Sequence, residues 1–430
     1  MADTIPDSEW FSYRDGTLVC EQVPLREIAD AVDTPAFVYS GAAIDAAYRA
    51  IDDALDFAPH LIAYAVKANG NLSVLARLAS QGCGADIVSE GELQRALKAG
   101  FAPGQIVFSG VGKRRNEILA AAKAGVRAIH VENEQELDVI ESVAAEVGRP
   151  LAIGLRVNPD VDAQTHPYIA TGLHESKFGL SIPRAEGVLP RILESEHLRL
   201  EAVACHIGSQ LGSPTPLEEA VTILGRFAKS CIDRGAALQA IDVGGGWPMA
   251  YGNEADDYPS PRAFGDAIRR GLDAADVLQP DLRIVTEPGR ALVGDAGVLL
   301  TRVLYTKDQG GHHFVIVDAA MTELIRPALY GAYHAIMPVT EPAADTTLTE
   351  VDVVGPVCES GDFIAKGRAL PPLASGDLVA IRGAGAYGRE MQSMYNARPL
   401  PAEVLVDQGR SRVIRRRSGP EALWLGEDLA

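Results

Sequence analysis

Cysteine is scarce in this sequence, and its pattern is informative. Only Cys20, Cys83, Cys205, Cys231 and Cys358 occur among 430 residues, an odd number, scattered and without a C-x-x-C pair. That excludes a disulfide framework or a zinc site of ordinary spacing, and makes a reducing cytoplasm the natural compartment. Long hydrophobic runs are also missing. None is long enough to cross a bilayer, so no membrane association is expected. The opening MADTIPDSEW is acidic and polar, unlike a signal or transit peptide. Positive charge is in deficit: 39 Lys and Arg against 58 Asp and Glu leave a net −19, which argues against a nucleic-acid partner. The one basic run, RSRVIRRR at 410–417, alternates with Val413 and Ile414 and reads as a solvated strand edge.

What remains is ordinary globular material, 47% hydrophobic and 23% charged, long enough for two or three domains. There is no internal repeat and no low-complexity segment. From about residue 60 to about 290, short apolar runs alternate with amphipathic helical patterns. The predicted strands are LIAYAV (61–66), ADIV (85–88), QIVF (105–108), RAIHV (127–131), LAIGLRV (151–157), LEAVACHI (200–207), LQAIDV (238–243) and LRIVT (282–286). Between them lie patterns such as GELQRALKAG and EQELDVIESVAAEVG, several closing on the glycine that favours a helix end. Eight such units predict an α/β fold, a closed (β/α)8 TIM barrel.

From about 298 the helical period fades. The runs VLLTRVLYT, HHFVIVDA, TLTEVDVVG, DLVAIRGA and AEVLVDQ predict a second, mainly antiparallel β domain, a sandwich or barrel. GTLVCEQV and PAFVYS near the N-terminus are also strand-like and would complete it.

A barrel gathers its chemistry at the C-terminal ends of its strands. Those ends read Lys67, Ser89-Glu90, Ser109-Gly110, Glu132, Asn158, His206 to Ser209, Gly244 to Gly246 and Glu287 to Arg290. Each alone is equally a strand-end turn; together they mark an active face. The triple glycine after the seventh strand suits close approach of backbone N–H groups to a phosphate. Lys67, in LIAYAVKANGN, puts an ammonium at the end of a buried strand, where desolvation favours the neutral, nucleophilic amine. An aldehyde bearing a phosphate would satisfy both features, and pyridoxal 5'-phosphate (PLP) is such a cofactor. Glu287 or another carboxylate would sit at its pyridine nitrogen, and His206 could lie against its ring face. Taken singly, His206 reads equally as a core histidine, whereas Lys67 alone reads first as a snorkelling lysine and Cys358 alone as buried packing.

The motifs YAVKAN, HIGSQ, DVGGGW, EPGRALV, GPVCESGD and GAGAYG followed by YNARP resemble those of the fold-type III PLP-dependent decarboxylases, over nearly the whole length. HPYIATGLHESKFGL (166–180) adds similarity to the branch acting on diaminopimelate. The resemblance implies a PLP-binding barrel over 38–290 and a β domain from 1–37 and 291–430, paired as a homodimer with active sites shared between subunits. It implies that Lys67 anchors the cofactor, with Asp86 supporting it and His206 on the ring. Ser209, Gly244, Gly245, Gly246, Pro288, Gly289 and Arg290 would hold the phosphate, and Glu287 the pyridine nitrogen. Arg290, Arg326 and Tyr330 would bind the far end of the substrate. Cys358 as proton donor and Glu359 on the distal amino group would come from the partner subunit, and Tyr387 would touch cofactor and substrate.

The implied reaction is decarboxylation of meso-2,6-diaminopimelate to L-lysine and CO2. Its substrate carries a distal carboxylate that Arg326 would match; ornithine and lysine carry none. Another basic amino acid or carboxynorspermidine decarboxylase, an amino-acid racemase and a non-catalytic PLP-binding protein are the competing readings. Glu90, Arg389, Glu390 and Gln392 depart from the family pattern.

Overall fold

The structure is a computed structural model and describes residues 8–162, 177–253 and 258–429. HPYIATGLHESKFGL therefore lies largely outside the described residues. The chain divides into two compact units, one of Ala47–Pro248 and Tyr258–Ala291, the other of Met1–Ala46, Met249–Asp257 and Leu292–Ala430.

The first unit is a closed ring of eight parallel strands: β1 (His60–Ala65), β2 (Gly84–Ile87), β3 (Ile106–Phe108), β4 (Ala128–Val131), β5 (Leu151–Asn158), β6 (Leu198–Ala204), β7 (Ala240–Asp242) and β8 (Arg283–Thr286). Each pairs with its sequence neighbour, and β8 closes on β1 through Ile284 opposite His60. The helices between them follow from local chemistry. Asn71, Ser89 and Asn133 cap helices Leu72–Ser80, Glu90–Ala99 and Glu134–Val147 by accepting from N–H groups two or three residues on. Gly100, Gly125 and Gly148 end helices in the left-handed conformation. Helix Thr215–Asp233 buries Leu217, Ala220, Val221, Leu224, Phe227, Ala228 and Cys231, the single face that the helical period selects.

The barrel interior explains where polar groups can go. Leu61, Ala63, Val107, Ala202, Ala240 and Val285 form a small apolar plug. Side chains two residues apart share a face of a strand. Stepping two residues onward from Val107, Ala240 and Val285 therefore gives Ser109, Asp242 and Glu287 on the inward side. The apolar floor thus turns polar at the strands' C-terminal ends.

The second unit is built on the 13-residue strand Gly297–Gln309, which pairs antiparallel with Ala36–Ser40, His312–Val317 and Leu378–Ile381. Its sheet is mixed rather than uniformly antiparallel: Ala36–Ser40 runs parallel to Ala402–Asp407, and His312–Val317 parallel to Thr349–Val354. Both faces are covered. Phe37, Tyr39, Leu299 and Ile381 enter one core, while Val38, Val298, Leu300 and Ala380 enter the other. That is why these strands read as continuous apolar runs instead of alternating. The basic strand Arg410–Arg415 lies at the edge of this sheet, where its charge discourages further pairing. Among the described residues no helix is long and apolar enough to cross a membrane.

Candidate active site

Strand β1 stops at Ala65, and Lys67 stands in the short 3-10 turn Val66–Ala68 that follows. The expected buried ammonium is not what the turn produces: the Lys67 side chain is 41% exposed, and its Nζ lies 2.7 Å from Oδ2 of the fully buried Asp86 on β2. Around Asp86 the inward side chains form a dense set of titratable groups. Oγ of Ser109 lies 3.2 Å from both His130 Nδ1 and Glu287 Oε1. The ring of His130 also approaches Asp242, with Nε2 3.8 Å from Oδ2. This imidazole packs where Gly154 leaves room, since a Cβ at 154 would come within 2.4 Å of its ring.

Burial sets the protonation of this set. It pushes Asp242 up to about 7, with the neighbouring charge of Asp86 adding to the shift against the N–H of Gly244. Burial, then repulsion from Asp242 and Asp86, raises Glu287 well above the carboxylate range. Burial takes His130 down to about 4, so it is neutral at pH 7. Two neighbouring carboxylates that both resist ionisation hold protons between them at neutral pH and titrate as a pair. Ligand-type atoms of His130, Asp242 and Glu287 all lie within 4.8 Å of one another, near enough to compete for one proton or one cation.

The glycine loop is assembled from three directions. Gly244 donates its N–H to Asp242 Oδ1, and its carbonyl accepts from Thr286 Oγ1 and from the N–H of Glu287. Gly245 donates its N–H to His206 Nδ1 at 3.0 Å. Because Nδ1 accepts, a neutral His206 carries its proton on Nε2, and burial with the nearby charges of Arg156 and Lys67 keeps it neutral. Larger side chains cannot replace these glycines: a Cβ would lie 2.4 Å from a carbonyl oxygen at Gly244 and at Gly245, and Gly246 has φ +97°. Arg290, almost wholly buried, donates to Ser209 Oγ at 3.0 Å. Pro288 accepts the N–H of Ala65 and ties β8's exit to β1. Lys67, Asp86, His206, Ser209, the three glycines and Glu287 to Arg290 all belong to the barrel unit.

The remaining predicted residues belong to the second unit. Arg326 opens the short helix Arg326–Tyr330 and is 7% exposed, its guanidinium over the rings of Tyr251 and Tyr330 at 5.4 and 5.7 Å. Cys358 and Glu359 are exposed. Their loop hangs from buried Asp362, which accepts N–H groups of Met321 and Val357 at 2.7 Å each. Asn396, of the YNARP stretch, accepts the N–H of Cys358. Tyr387, in GAGAYG, takes a positive φ of 56°.

Residues 42–294 match the family model for the pyridoxal-dependent decarboxylase, pyridoxal binding domain. A diaminopimelate decarboxylase of Pseudomonas aeruginosa is 49% identical over 97% of this chain and 99% of its own length. The chain belongs to the diaminopimelate decarboxylase family. Among solved structures, the diaminopimelate decarboxylase of Helicobacter pylori complexed with L-lysine is 42% identical, with a TM-score of 0.88 over 93% of this chain and 98% of that one. The M. jannaschii enzyme, also in complex with L-lysine, aligns with a TM-score of 0.92 at 32% identity, over 100% of this chain and 99% of its own. Members of the family are PLP-dependent carboxy-lyases, and PLP is the cofactor of this chain.

Within that family frame, several strand-end residues prove structural. Ser89 caps a helix, and Glu90 joins it to the next helix by accepting from Asn116. Glu132 accepts from Arg156 at 2.6 Å and from the N–H of Gly179 at 2.8 Å, and Asn158 accepts from the N–H of Asp160. The unusual charges at 389–392 have a local reason. Arg389 and Arg415 both donate to Glu403 Oε1 at 3.1 Å, compensating a carboxylate with no exposure, and Gln392 accepts from Arg415. Sequence reasoning missed His130 and Asp242. Their signal was present as a histidine and an aspartate inside the apolar runs RAIHV and AIDV, where burial of an ionisable group is expensive.

Proposed function

We propose that this chain removes one carboxylate of meso-2,6-diaminopimelate to give L-lysine and CO2, with the site residues assigned above. The observation that supports the PLP assignment within the barrel is the pairing of a glycine cradle with a floor of buried carboxyl groups. Among the described residues, Oδ1 of Asp86 and Oδ2 of Asp242 are buried without a hydrogen-bond partner. Buried polar groups normally find one, so these orphaned oxygens fit a pocket built around a polar guest. The side-chain-free turn at Gly244–Gly246, which lets a guest approach the backbone closely, fits the phosphate of that guest together with Ser209 and Arg290.

Bound PLP supplies an electron sink for the pair of electrons released as the carboxylate leaves. The chain does the rest. Lys67 would offer the amine that holds the cofactor, and Asp86 fixes where that amine points. Glu287, which burial and Asp242 leave with a proton to give, would pass it to the pyridine nitrogen and, as the resulting carboxylate, hold it there. His206 offers a flat, uncharged face. Pro288 and Gly289 set the start of Arg290, which completes the anion cradle.

In the β unit, Arg326 is clamped between two tyrosine rings, so its guanidinium is held ready before substrate arrives. Such a fixed cation suits a distal carboxylate, which favours diaminopimelate over lysine or ornithine; Tyr330 and Arg290 would assist. Tyr387 would contact cofactor and substrate. The exposed Cys358 and Glu359 suit delivery to a second copy of the chain, so we read the enzyme as a homodimer whose sites each use both subunits. Five cysteines without a disulfide fit a reducing cytoplasm.

The test is a substrate comparison on PLP-loaded protein. Meso-diaminopimelate should yield lysine and CO2 in equal amounts, with lysine and ornithine turned over far more slowly. Comparable or faster loss of CO2 from ornithine or lysine would overturn the reading.

A further inference from the structure

At the opposite end of the barrel, where the strands begin, arginines gather. Arg127 directly precedes β4, Arg149 lies just before β5, Arg199 is the second residue of β6 and Arg283 opens β8. Because the strands are parallel, these positions share one rim. Arg127, Arg149 and Arg199, with Glu201, Gly125 and Ala152, line a cavity of ≈ 170 Å³.

The charges are not mutually cancelled. Arg199 is tied to Glu201 at 3.0 Å. Arg149 donates to the carbonyl oxygen of Ala122, covering the negative end of helix Arg115–Ala124 that would otherwise face the cavity. The side chains of Arg127 and Arg283 form neither hydrogen bond nor ion pair among the described residues, while their backbone N–H groups donate to the carbonyls of Ile106 and Gln239. Half-buried Arg127 feels Arg283 as a like charge, against weaker attraction from Glu201 and Asp242. Three lining guanidinium groups against one carboxylate leave a local charge of +2, in a chain whose net charge is −19. A cation cluster that repels itself in a protein rich in carboxylates is a standing vacancy for an anion.

We propose that this rim binds a phosphate-class oxyanion, as free phosphate or as the phosphoryl group of a small monoester. The charge of +2 matches a dianion, whereas a single carboxylate would leave half of it uncompensated. Guanidinium forks engage tetrahedral oxyanions through paired hydrogen bonds. The cavity admits one such group and no polymer, so the remainder of a monoester would stay in solvent.

The experiment is calorimetric titration of the PLP-loaded enzyme with inorganic phosphate, at ionic strength fixed with chloride. PLP already fills the glycine loop, so added phosphate reports on other sites. Saturable binding of one ion per chain is expected, together with a rise of a few degrees in Tm, because the ligand binds only the folded state. Arg127→Gln combined with Arg283→Gln should weaken binding at least tenfold and leave turnover unchanged. In phosphate-free buffer that variant should melt no lower than wild type, since a repulsion has been removed. If it does not fold, the single exposed change Arg199→Gln carries the same test. Glycerol phosphate distinguishes the sources: tighter binding than phosphate points to a monoester, equal or weaker binding to the free ion. Binding that survives both variants, or a Tm rise that chloride alone reproduces, overturns the proposal.

Discussion

The Nζ of Lys67 rests 2.7 Å from Oδ2 of Asp86, joining an amine that reaches solvent to a carboxylate with no exposure at all. Asp86→Asn preserves the shape and removes the charge. A hydrogen bond to a charged group is worth about 1.5–3 kcal/mol, and partial exposure of the lysine places this one near the low end. Turnover should fall roughly tenfold, since each ~1.4 kcal/mol is a factor of ten. Lys67→Ala should lose turnover almost entirely. Steady-state kcat with the cofactor's absorbance decides it: an Asp86→Asn protein as fast as wild type would remove Asp86 from the account.

Arg326 should govern substrate choice. In its proposed role, Arg326 would form a charge-assisted pair with the distal carboxylate, and Arg326→Ala should lose on the order of 2–5 kcal/mol in kcat/KM for diaminopimelate. Any activity on lysine or ornithine should fall much less, because neither offers a distal carboxylate. Equal losses on all three substrates would make Arg326 a packing residue for Tyr251 and Tyr330.

The buried carboxylate pair predicts a particular pH dependence of stability. Asp242 ionises near 3.8 in the unfolded chain and about 7 in the folded one. Between those values the folded state holds the extra proton, so this group makes stability fall as pH rises. Asp242→Asn removes that liability. The Tm of PLP-free Asp242→Asn, minus that of wild type, should climb from pH 4 to pH 7 and then level off. His130 acts in the opposite sense: its unfolded form takes a proton near 6.5 and its folded form only near 4, so it favours higher pH in that window in both proteins and cancels from the difference. A difference flat with pH would contradict the raised ionisation of buried Asp242.

Much of this was legible in the sequence because the barrel's signals are local. Apolar runs, Asn and Ser caps and closing glycines each act within a few residues, and eight strand–helix units follow from them. The triple glycine announced its own backbone geometry. What stayed hidden depends on inward direction and on distant partners. His130 and Asp242 look like strand residues until the barrel closes and brings Ser109 and Glu287 beside them. Lys67 read as buried because the apolar run continues through Val66, but the chain turns after Ala65 and swings the amine outward. Arg389 looked anomalous because Glu403, its reason, lies 14 residues away. The two parallel pairings of the β unit join Ala36–Ser40 to Ala402–Asp407 and His312–Val317 to Thr349–Val354, links over distances that no local pattern encodes.

The proposed sharing of sites between subunits predicts complementation. Lys67→Ala and Cys358→Ala homodimers should each be nearly inactive. After subunit exchange, random pairing makes about half the dimers mixed, each with one intact site, so activity should return to roughly a quarter of wild type. Demonstrated exchange without recovery would place Cys358 in its own chain's site, or outside catalysis.

The central claim is that Lys67 anchors the cofactor, and borohydride reduction of the PLP-loaded enzyme followed by peptide mapping tests it most directly. The account predicts reduced pyridoxyl label on one peptide, the one spanning LIAYAVKANGN, with Lys67 as the modified residue and none in Lys67→Ala. Label on Lys113 or any other lysine, or undiminished label in Lys67→Ala, would contradict it.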